Sequence, residues 1–371
     1  MASNQDSLMA ELRSIRHALA EAAGGKPSAL LGPVRRALDR LERCLARPLR
    51  MAVLGEENAG KSLLINYLLK HQVLPSGAFA GEGNQLLIRY AAEPAVHAVS
   101  PDGSRNRLTS KAFGRLIKPE TVVARAMSAS VIYDAATAGR SGPRAPMIGP
   151  GDLVGAPRKT PQAPMRLIEI GLPLDFLRHL EIVEVRASPD GALTSPSRRA
   201  FRKVDFSIWC TLATQAWKET EAAAFRRIAA ANRKSALMLV TYKDAVRRGR
   251  DEEKIIARLR HAGGKLFDNV VLVSLRDALQ SLLSPDADDA RRLFADSNIE
   301  AAETAIRALA DGRQQRRYRK AAGLLRHAAE RLASHARQAG GAGLDTAARL
   351  NRLAAEFLDA SPSLSLAERA A

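Results

Sequence analysis

Apolar residues in the first 47 positions recur at 4-3-4 spacing, Leu8, Leu12, Ile15, Leu19 and then Val34, Leu38, Leu41, Leu45, with the Gly- and Pro-bearing stretch 24–33 between the two sets. That period places each set on one face of a helix and predicts two helices, each needing a partner. From Arg50 to about Ala278 the texture changes. Short apolar runs at 51–55, 86–92, 95–100, 165–171, 180–186, 206–212, 236–242 and 270–275 alternate with polar, helix-forming stretches. Strands alternating with helices predict an α/β domain with a mainly parallel sheet covered by helices on both faces. The stretch 138–164 is rich in Pro and Gly, poor in apolar residues, and reads as a flexible insertion. After Asp286 helical spacing returns, through Leu293, Ile299, Ile306 and Leu309, then Leu324, Leu325 and Leu332, then Leu350, Leu353 and Phe357. Apolar-striped helices from the two chain ends would satisfy one another as a bundle. The expected organisation is therefore a helical hairpin over 1–47, an α/β domain over 48–285, and C-terminal helices over 286–371 that complete a helical neck.

Composition narrows the partners more than the fold. The 371 residues carry 57 Lys plus Arg against 39 acidic groups, a net charge of +18, which favours contact with phosphate in nucleotide, lipid or nucleic acid. Aromatic residues are only 4%, too few for the stacking platforms on which single strands are read, so nucleic-acid binding is not expected. Cys44 and Cys210 stand far apart with no CxxC, and the seven histidines lack ligand spacing, so neither a disulfide framework nor a zinc site is indicated. No leader-like start and no run of about 18 apolar residues occurs, which leads to the expectation of a cytoplasmic chain, peripheral at most to the inner membrane face. The basic run Arg313, Arg316, Arg317, Arg319 and Lys320 is the candidate for contact with anionic lipid.

The most specific signal is MAVLGEENAGKSLLINYLL at 51–69, where a short apolar strand runs into Gly55, four variable residues, Gly60, Lys61 and Ser62, and then an apolar helix. This is the GxxxxGK[ST] phosphate-binding loop in its proper setting. The chemistry needs these types: glycines let the backbone curl so that N–H groups and a helix N-terminus face phosphate, Lys61 reaches the terminal phosphates, and the Ser62 hydroxyl suits Mg2+. Gly55, Asn58, Ala59, Gly60, Lys61 and Ser62 are the expected phosphate-binding set.

Around this loop the chain resembles bacterial members of the dynamin superfamily of GTPases. GEENAGKSLLINYLL is similar to their GxxNAGKSxLIN segment, and Leu74-Pro75-Ser76-Gly77 with Leu87-Ile88-Arg89-Tyr90 is similar to the frame that brackets their first switch. IEIGLPLDFLRHLEIVEVRA and WCTLATQAWKETEAAAFRRI, followed by ALMLVTYKDAV, parallel later segments, so the likeness spans about 49–278. The resemblance implies a P-loop GTPase-like domain with a helical neck, GTP or GDP as ligand, Mg2+ as cofactor, and a homo- or heterodimer with a dynamin-like protein. It also implies that Asp244 meets guanine, with Tyr242 as a platform and Ser274 near the base, and that Glu184 joins Ser62 at the metal.

Departures from the family's pattern change the expected chemistry. Gly81 and Glu82 fall where the family has paired threonines, and Glu184-Val185-Arg186-Ala187 stands where DTPG is expected. The base motif reads Thr241-Tyr242-Lys243-Asp244 in place of [NT]KxD. Phosphoryl transfer depends on positioning and charge stabilisation by such groups, so hydrolysis is expected to be impaired unless Glu57, Asn58 or a partner's residue compensates. The alternative expectation is a non-hydrolysing scaffold that regulates a partner. Trp209 is expected in the core, whereas Trp217 is expected to meet the insertion or a partner.

Overall fold

The computed structural model describes residues 2–22, 31–70, 73–74, 85–100, 102–108, 167–185, 203–215, 217–227, 235–246, 250–263, 266–338, 343–360 and 364. In chain order their elements are α1 (Ala2–Ala22), α2 (Leu31–Ala46), β1 (Leu49–Gly55), α3 (Lys61–Leu69), β2 (Gln85–Tyr90), β3 (Ala95–Val99), β4 (Arg105–Arg107), β5 (Leu167–Leu172), β6 (Leu180–Glu184), β7 (Phe206–Leu212), α4 (Glu219–Arg226), β8 (Ala236–Thr241), α5 (Arg250–Gly263), β9 (Asn269–Leu272), α6 (Leu275–Leu283), α7 (Ala287–Ser297), α8 (Ile299–Gln338) and α9 (Leu344–Asp359). The chain divides into two compact units, Met1–Pro48 with Ala310–Leu364, and Leu49–Leu309 with Ser365–Ala371.

The first unit is a helical bundle built from both chain ends. Leu8, Leu12, Ile15 and Leu19 of α1 and Val34, Leu38, Leu41 and Leu45 of α2 are buried in one core with Leu325 and Leu332 of α8 and Leu350, Leu353 and Phe357 of α9. Each such side chain contributes about 1.5–3 kcal/mol on leaving water, which supplies what isolated helices lack. Ala321, Ala322, Ala328 and Ala329 of α8 are also buried, and their small volume lets neighbouring helices approach. Around the core, Arg16 pairs with Asp39 at 3.1 Å and Glu42 at 2.9 Å, while Arg349 reaches Glu11 at 2.9 Å. The basic run of α8 is divided in use. Arg317 donates to the carbonyls of Arg47 at 3.0 Å and Pro48 at 3.5 Å. Arg316, Arg319 and Lys320 are exposed, and so is Leu324 one turn beyond Lys320.

The second unit is a nine-stranded sheet in the order β4-β3-β5-β2-β6-β1-β7-β8-β9. Its right half, β6-β1-β7-β8-β9, is parallel throughout, and β2 also runs parallel to β5. Antiparallel pairing joins β2 to β6, β3 to β5 and β3 to β4. The strands of the parallel half are buried on both faces. Ala52, Leu54, Trp209, Met238 and Val240 share a core with Phe225 of α4 and Leu259 of α5, while Met51, Val53, Ile208 and Leu239 point to the opposite face and are equally buried. All eight apolar runs form strands. The ninth, β4, is Arg105-Asn106-Arg107, exposed at every residue on the sheet edge, and carries no apolar signal from which it could be read.

Topology places a switch point beside β1. The chain leaves β1 toward β2 on one side of the sheet, whereas β7, its neighbour on the other side, continues to β8. Crossovers that diverge from adjacent parallel strands leave room for a ligand beyond their C-terminal ends. The loop 56–60 lies at that point, with Gly55 in register opposite Cys210.

Candidate functional site

The glycines of the loop are dictated by crowding as much as by dihedrals. Gly55 sits at φ 140, and a Cβ there would lie 2.2 Å from the Cys210 carbonyl oxygen. Gly60 sits at φ 86, and its Cβ would meet Leu275 Cδ1 at 3.0 Å and Thr241 Cγ2 at 3.1 Å. Both positions have a backbone that favours glycine; at Gly55 main-chain oxygen excludes a side chain, and at Gly60 one would fit only if Leu275 and Thr241 gave way. Asn58 also has positive φ, 61, which asparagine tolerates better than most residues. Ala59 is buried, and its carbonyl accepts the Thr241 hydroxyl at 3.1 Å, tying the loop to the end of β8.

Lys61 opens α3 but folds back over the loop. Its ammonium donates to the carbonyls of Gly55 at 3.1 Å and Glu56 at 2.5 Å, and the side chain is buried. Ser62, half-buried, follows in the first turn. Further along α3, Asn66 is buried and brackets Leu74, donating to its carbonyl at 2.6 Å and accepting from its N–H at 2.8 Å. The asparagine of the INYLL segment is thereby explained as a clamp on the chain after α3.

Glu184 ends β6, opposite Val53 of β1, and is almost fully buried. The thiol of Cys210 is buried and pushed up to about 12, chiefly by loss of water, with Lys61 drawing it down and Glu184 raising it. Lys61 and Glu184 thus act on one atom at the C-terminal ends of the central strands. Gly81, Glu82, Arg186, Ala187 and the insertion 138–164 lie outside the described residues.

The residues expected to face a base converge on the other side of the loop. Tyr242, at φ 62 and 39% exposed, donates its hydroxyl to the Asn58 carbonyl at 3.4 Å. Ser274 is fully buried; its hydroxyl donates to Asp244 Oδ1 at 3.1 Å and accepts the Asp277 N–H at 3.2 Å, so one side chain caps α6 and orients Asp244. Arg276 approaches Asp244 Oδ2 at 4.0 Å. Lys243 turns away, donating to the Asp296 carbonyl at 2.7 Å.

A network with no motif of its own adjoins the loop. Glu221 of α4 is buried and accepts from Trp209 Nε1 at 3.1 Å, Thr211 Oγ1 at 3.0 Å and the Lys218 N–H at 3.0 Å. Burial raises its carboxyl above the ordinary glutamate range against the lowering effect of those three donors. Glu56 of the loop accepts from Lys218 Nζ at 3.1 Å and Thr220 Oγ1 at 3.3 Å. Trp209 is core, as expected. Trp217 corrects the expectation of an outward role: its ring meets Trp209, Phe225 and Phe267 edge-on at 6.2, 6.1 and 5.1 Å. Loop position alone suggested exposure; Trp209 and Phe225 are near neighbours in sequence, but Phe267 joins the cluster only in the fold.

Strand order, the βα loop and its glycine geometry define a P-loop GTPase-like α/β fold, accompanied by a helical bundle from the two chain ends. No protein-family model and no curated protein matches the chain. Among solved structures it is similar to two chains of an oligomerised bacterial dynamin pair described in connection with long-range sensing and tethering of membranes. One is 18% identical over 92% of this chain and 50% of that one, with a TM-score of 0.45, and the other is 14% identical over 80% and 41%, with a TM-score of 0.41. A third, Era in complex with MgGDPNP and a piece of 16S ribosomal RNA, is 11% identical over 63% of this chain and 52% of that chain, with a TM-score of 0.30. The chain spans about half the length of the first bacterial dynamin chain it matches. Among the described residues no helix is long and apolar enough to cross a membrane.

Proposed function

We propose that this chain is a dynamin-like P-loop protein that binds guanine nucleotide and hydrolyses GTP weakly or only with a partner. The supporting observation is the loop after β1, where two glycines take left-handed backbone, Gly55 with no room for a Cβ, and the Lys61 ammonium is held against main-chain carbonyls. Gly55, Asn58, Ala59, Gly60, Lys61 and Ser62 would hold the phosphates through main-chain N–H groups and the ammonium. Mg2+, when bound, would neutralise phosphate charge. The Ser62 hydroxyl and Glu184 carboxylate are the hard oxygen donors suited to it, and no cluster of three or more acidic, His or Cys ligands occurs among the described residues to make an all-protein cage. Asp244, oriented by Ser274, offers two acceptor oxygens to a guanine edge, with the Tyr242 ring beside the loop as a platform.

Weak turnover follows from the residues that replace the usual switch threonines and the DTPG segment. A dynamin-like partner, a second copy or a related chain, would complete the site. The exposed Arg316, Arg319 and Lys320 with Leu324 suit an anionic membrane surface, at about 1 kcal/mol per basic residue. A second reading, a scaffold that binds no nucleotide and regulates a partner without turnover, draws on the loop's bonds to itself through Lys61. Titrating fluorescent GTP, GDP and ATP with Mg2+ into wild type and Lys61→Ala separates the two: saturable, guanine-selective binding lost in the variant supports the first, and binding in neither protein sinks it.

A further inference from the structure

Glu56 stands between two ammonium groups. Its main-chain carbonyl accepts from Lys61 at 2.5 Å, and its carboxylate accepts from Lys218 at 3.1 Å and from the Thr220 hydroxyl at 3.3 Å. We infer that Lys218 is a second cation for the phosphate chain, held in reserve by Glu56; this rests on the phosphate-loop reading above.

The base of the Lys218 arm is fixed, while its tip is held only by a part-exposed ion pair. The Lys218 N–H is bound by the buried Glu221 carboxylate at 3.0 Å, and the preceding Trp217 N–H donates to Thr211 Oγ1 at 3.3 Å. Trp217 has φ 61, a left-handed conformation that is unfavourable for a bulky residue and persists only where its surroundings over-determine it. Here the rings of Trp209, Phe225 and Phe267 provide that constraint, and the resulting turn delivers Lys218 to the loop. The charged ends of Lys218 and Glu56 remain 42% and 38% exposed, so their pair is weak and exchanges readily.

A triphosphate beside Lys61 brings several negative charges next to the Glu56 carboxylate. Coulomb energy scales with charge, so the Lys218 ammonium gains more from the phosphates than from one carboxylate and transfers to them. Glu56 is then a positioning residue: it keeps Lys218 at the loop before ligand arrives and opposes the ligand by its own charge.

The test is a titration of the whole chain with mant-GTP and mant-GDP in the presence of Mg2+. Lys218→Met is expected to weaken mant-GTP about tenfold, the loss of one partly exposed charge-assisted contact, and to flatten the salt dependence of binding. Lys218→Arg restores most of the affinity. Glu56→Gln tightens binding about threefold by removing repulsion and releasing the arm. Thermal midpoints without nucleotide stay at the wild-type value for all three, which separates a ligand role from a structural one. Wild-type affinity in Lys218→Met, with binding abolished in Lys61→Ala, overturns the assignment and leaves the loop reading intact. Wild-type affinity in Lys61→Ala overturns the loop reading itself, and the assignment with it.

Discussion

At the phosphate end of the site, a methyl on Gly55 would strike the Cys210 carbonyl at 2.2 Å and one on Gly60 would press on the Leu275 and Thr241 side chains at 3.0 and 3.1 Å, whereas at the base end Asp244 is held by one serine hydroxyl and a guanidinium 4.0 Å away. The first region is specified by crowding of the loop glycines against the main chain of β7 and side chains at the end of β8 and the start of α6, and changes there strike folding and binding together. The second is specified by side-chain hydrogen bonds near solvent, and changes there redirect selectivity while the fold survives. That difference explains how the loop retains its pattern in a chain whose base motif reads Thr-Tyr-Lys-Asp.

The sharpest way to break this contrast is at Gly55. Gly55→Ala places a carbon 2.2 Å from a main-chain oxygen at φ 140, and is expected to destabilise the sheet unit by about 3–5 kcal/mol, read as a fall in denaturant midpoint. Gly60→Ala meets only side-chain atoms and is expected to cost less in the same measurement. A midpoint for Gly55→Ala equal to wild type would remove the steric half of the comparison.

Next in size is Glu221. Glu221→Gln presents an amide donor to a pocket of three donors and is expected to cost about 1–3 kcal/mol. The wild-type carboxyl is raised by burial from its ordinary 4.5, so the folded chain retains a proton that the unfolded chain has released. The stabilisation from that proton is complete below 4.5 and is lost as pH rises through the folded-state value, so wild-type stability declines over the window just above 4.5. The glutamine variant loses this slope. Parallel pH profiles for the two proteins would contradict the account.

At the base end the effects are smaller in stability and larger in selectivity. Asp244→Asn exchanges an acceptor for a donor, and is expected to weaken GTP about tenfold or more and favour xanthine nucleotide, with an unchanged melting temperature. Arg276→Ala removes only the distant, largely exposed guanidinium and should alter GTP affinity less than threefold. An Asp244→Asn protein that kept its preference for GTP would detach this carboxylate from base recognition.

Legibility in the sequence followed the same division. Apolar period alone located the buried stripes Leu8 to Leu45 and eight strands, because burial on a helix face or in a two-sided sheet leaves a pattern within a few residues. The GKS loop was readable because its chemistry occupies consecutive positions. By contrast β4 owes its existence to pairing with β3 and carries only charged and polar residues. The Glu56–Lys218 pair joins positions 162 residues apart, and the Trp217 cluster gathers rings from β7, α4 and the connection before β9. Contacts of that kind are decided by tertiary packing, which no local window records. Ser274 lay between the two cases: the resemblance placed it near the base, while its cap on α6 and its bond to Asp244 appear only in the fold, once β8 and β9 lie side by side.

The most direct measurement is amide hydrogen exchange across 55–62 with and without a non-hydrolysable GTP analogue and Mg2+. If phosphates rest on main-chain N–H groups, the amides of this loop slow on addition of the analogue, and guanosine, which lacks phosphates, leaves them unchanged. Loop amides that exchange at the same rate at millimolar analogue would contradict the account.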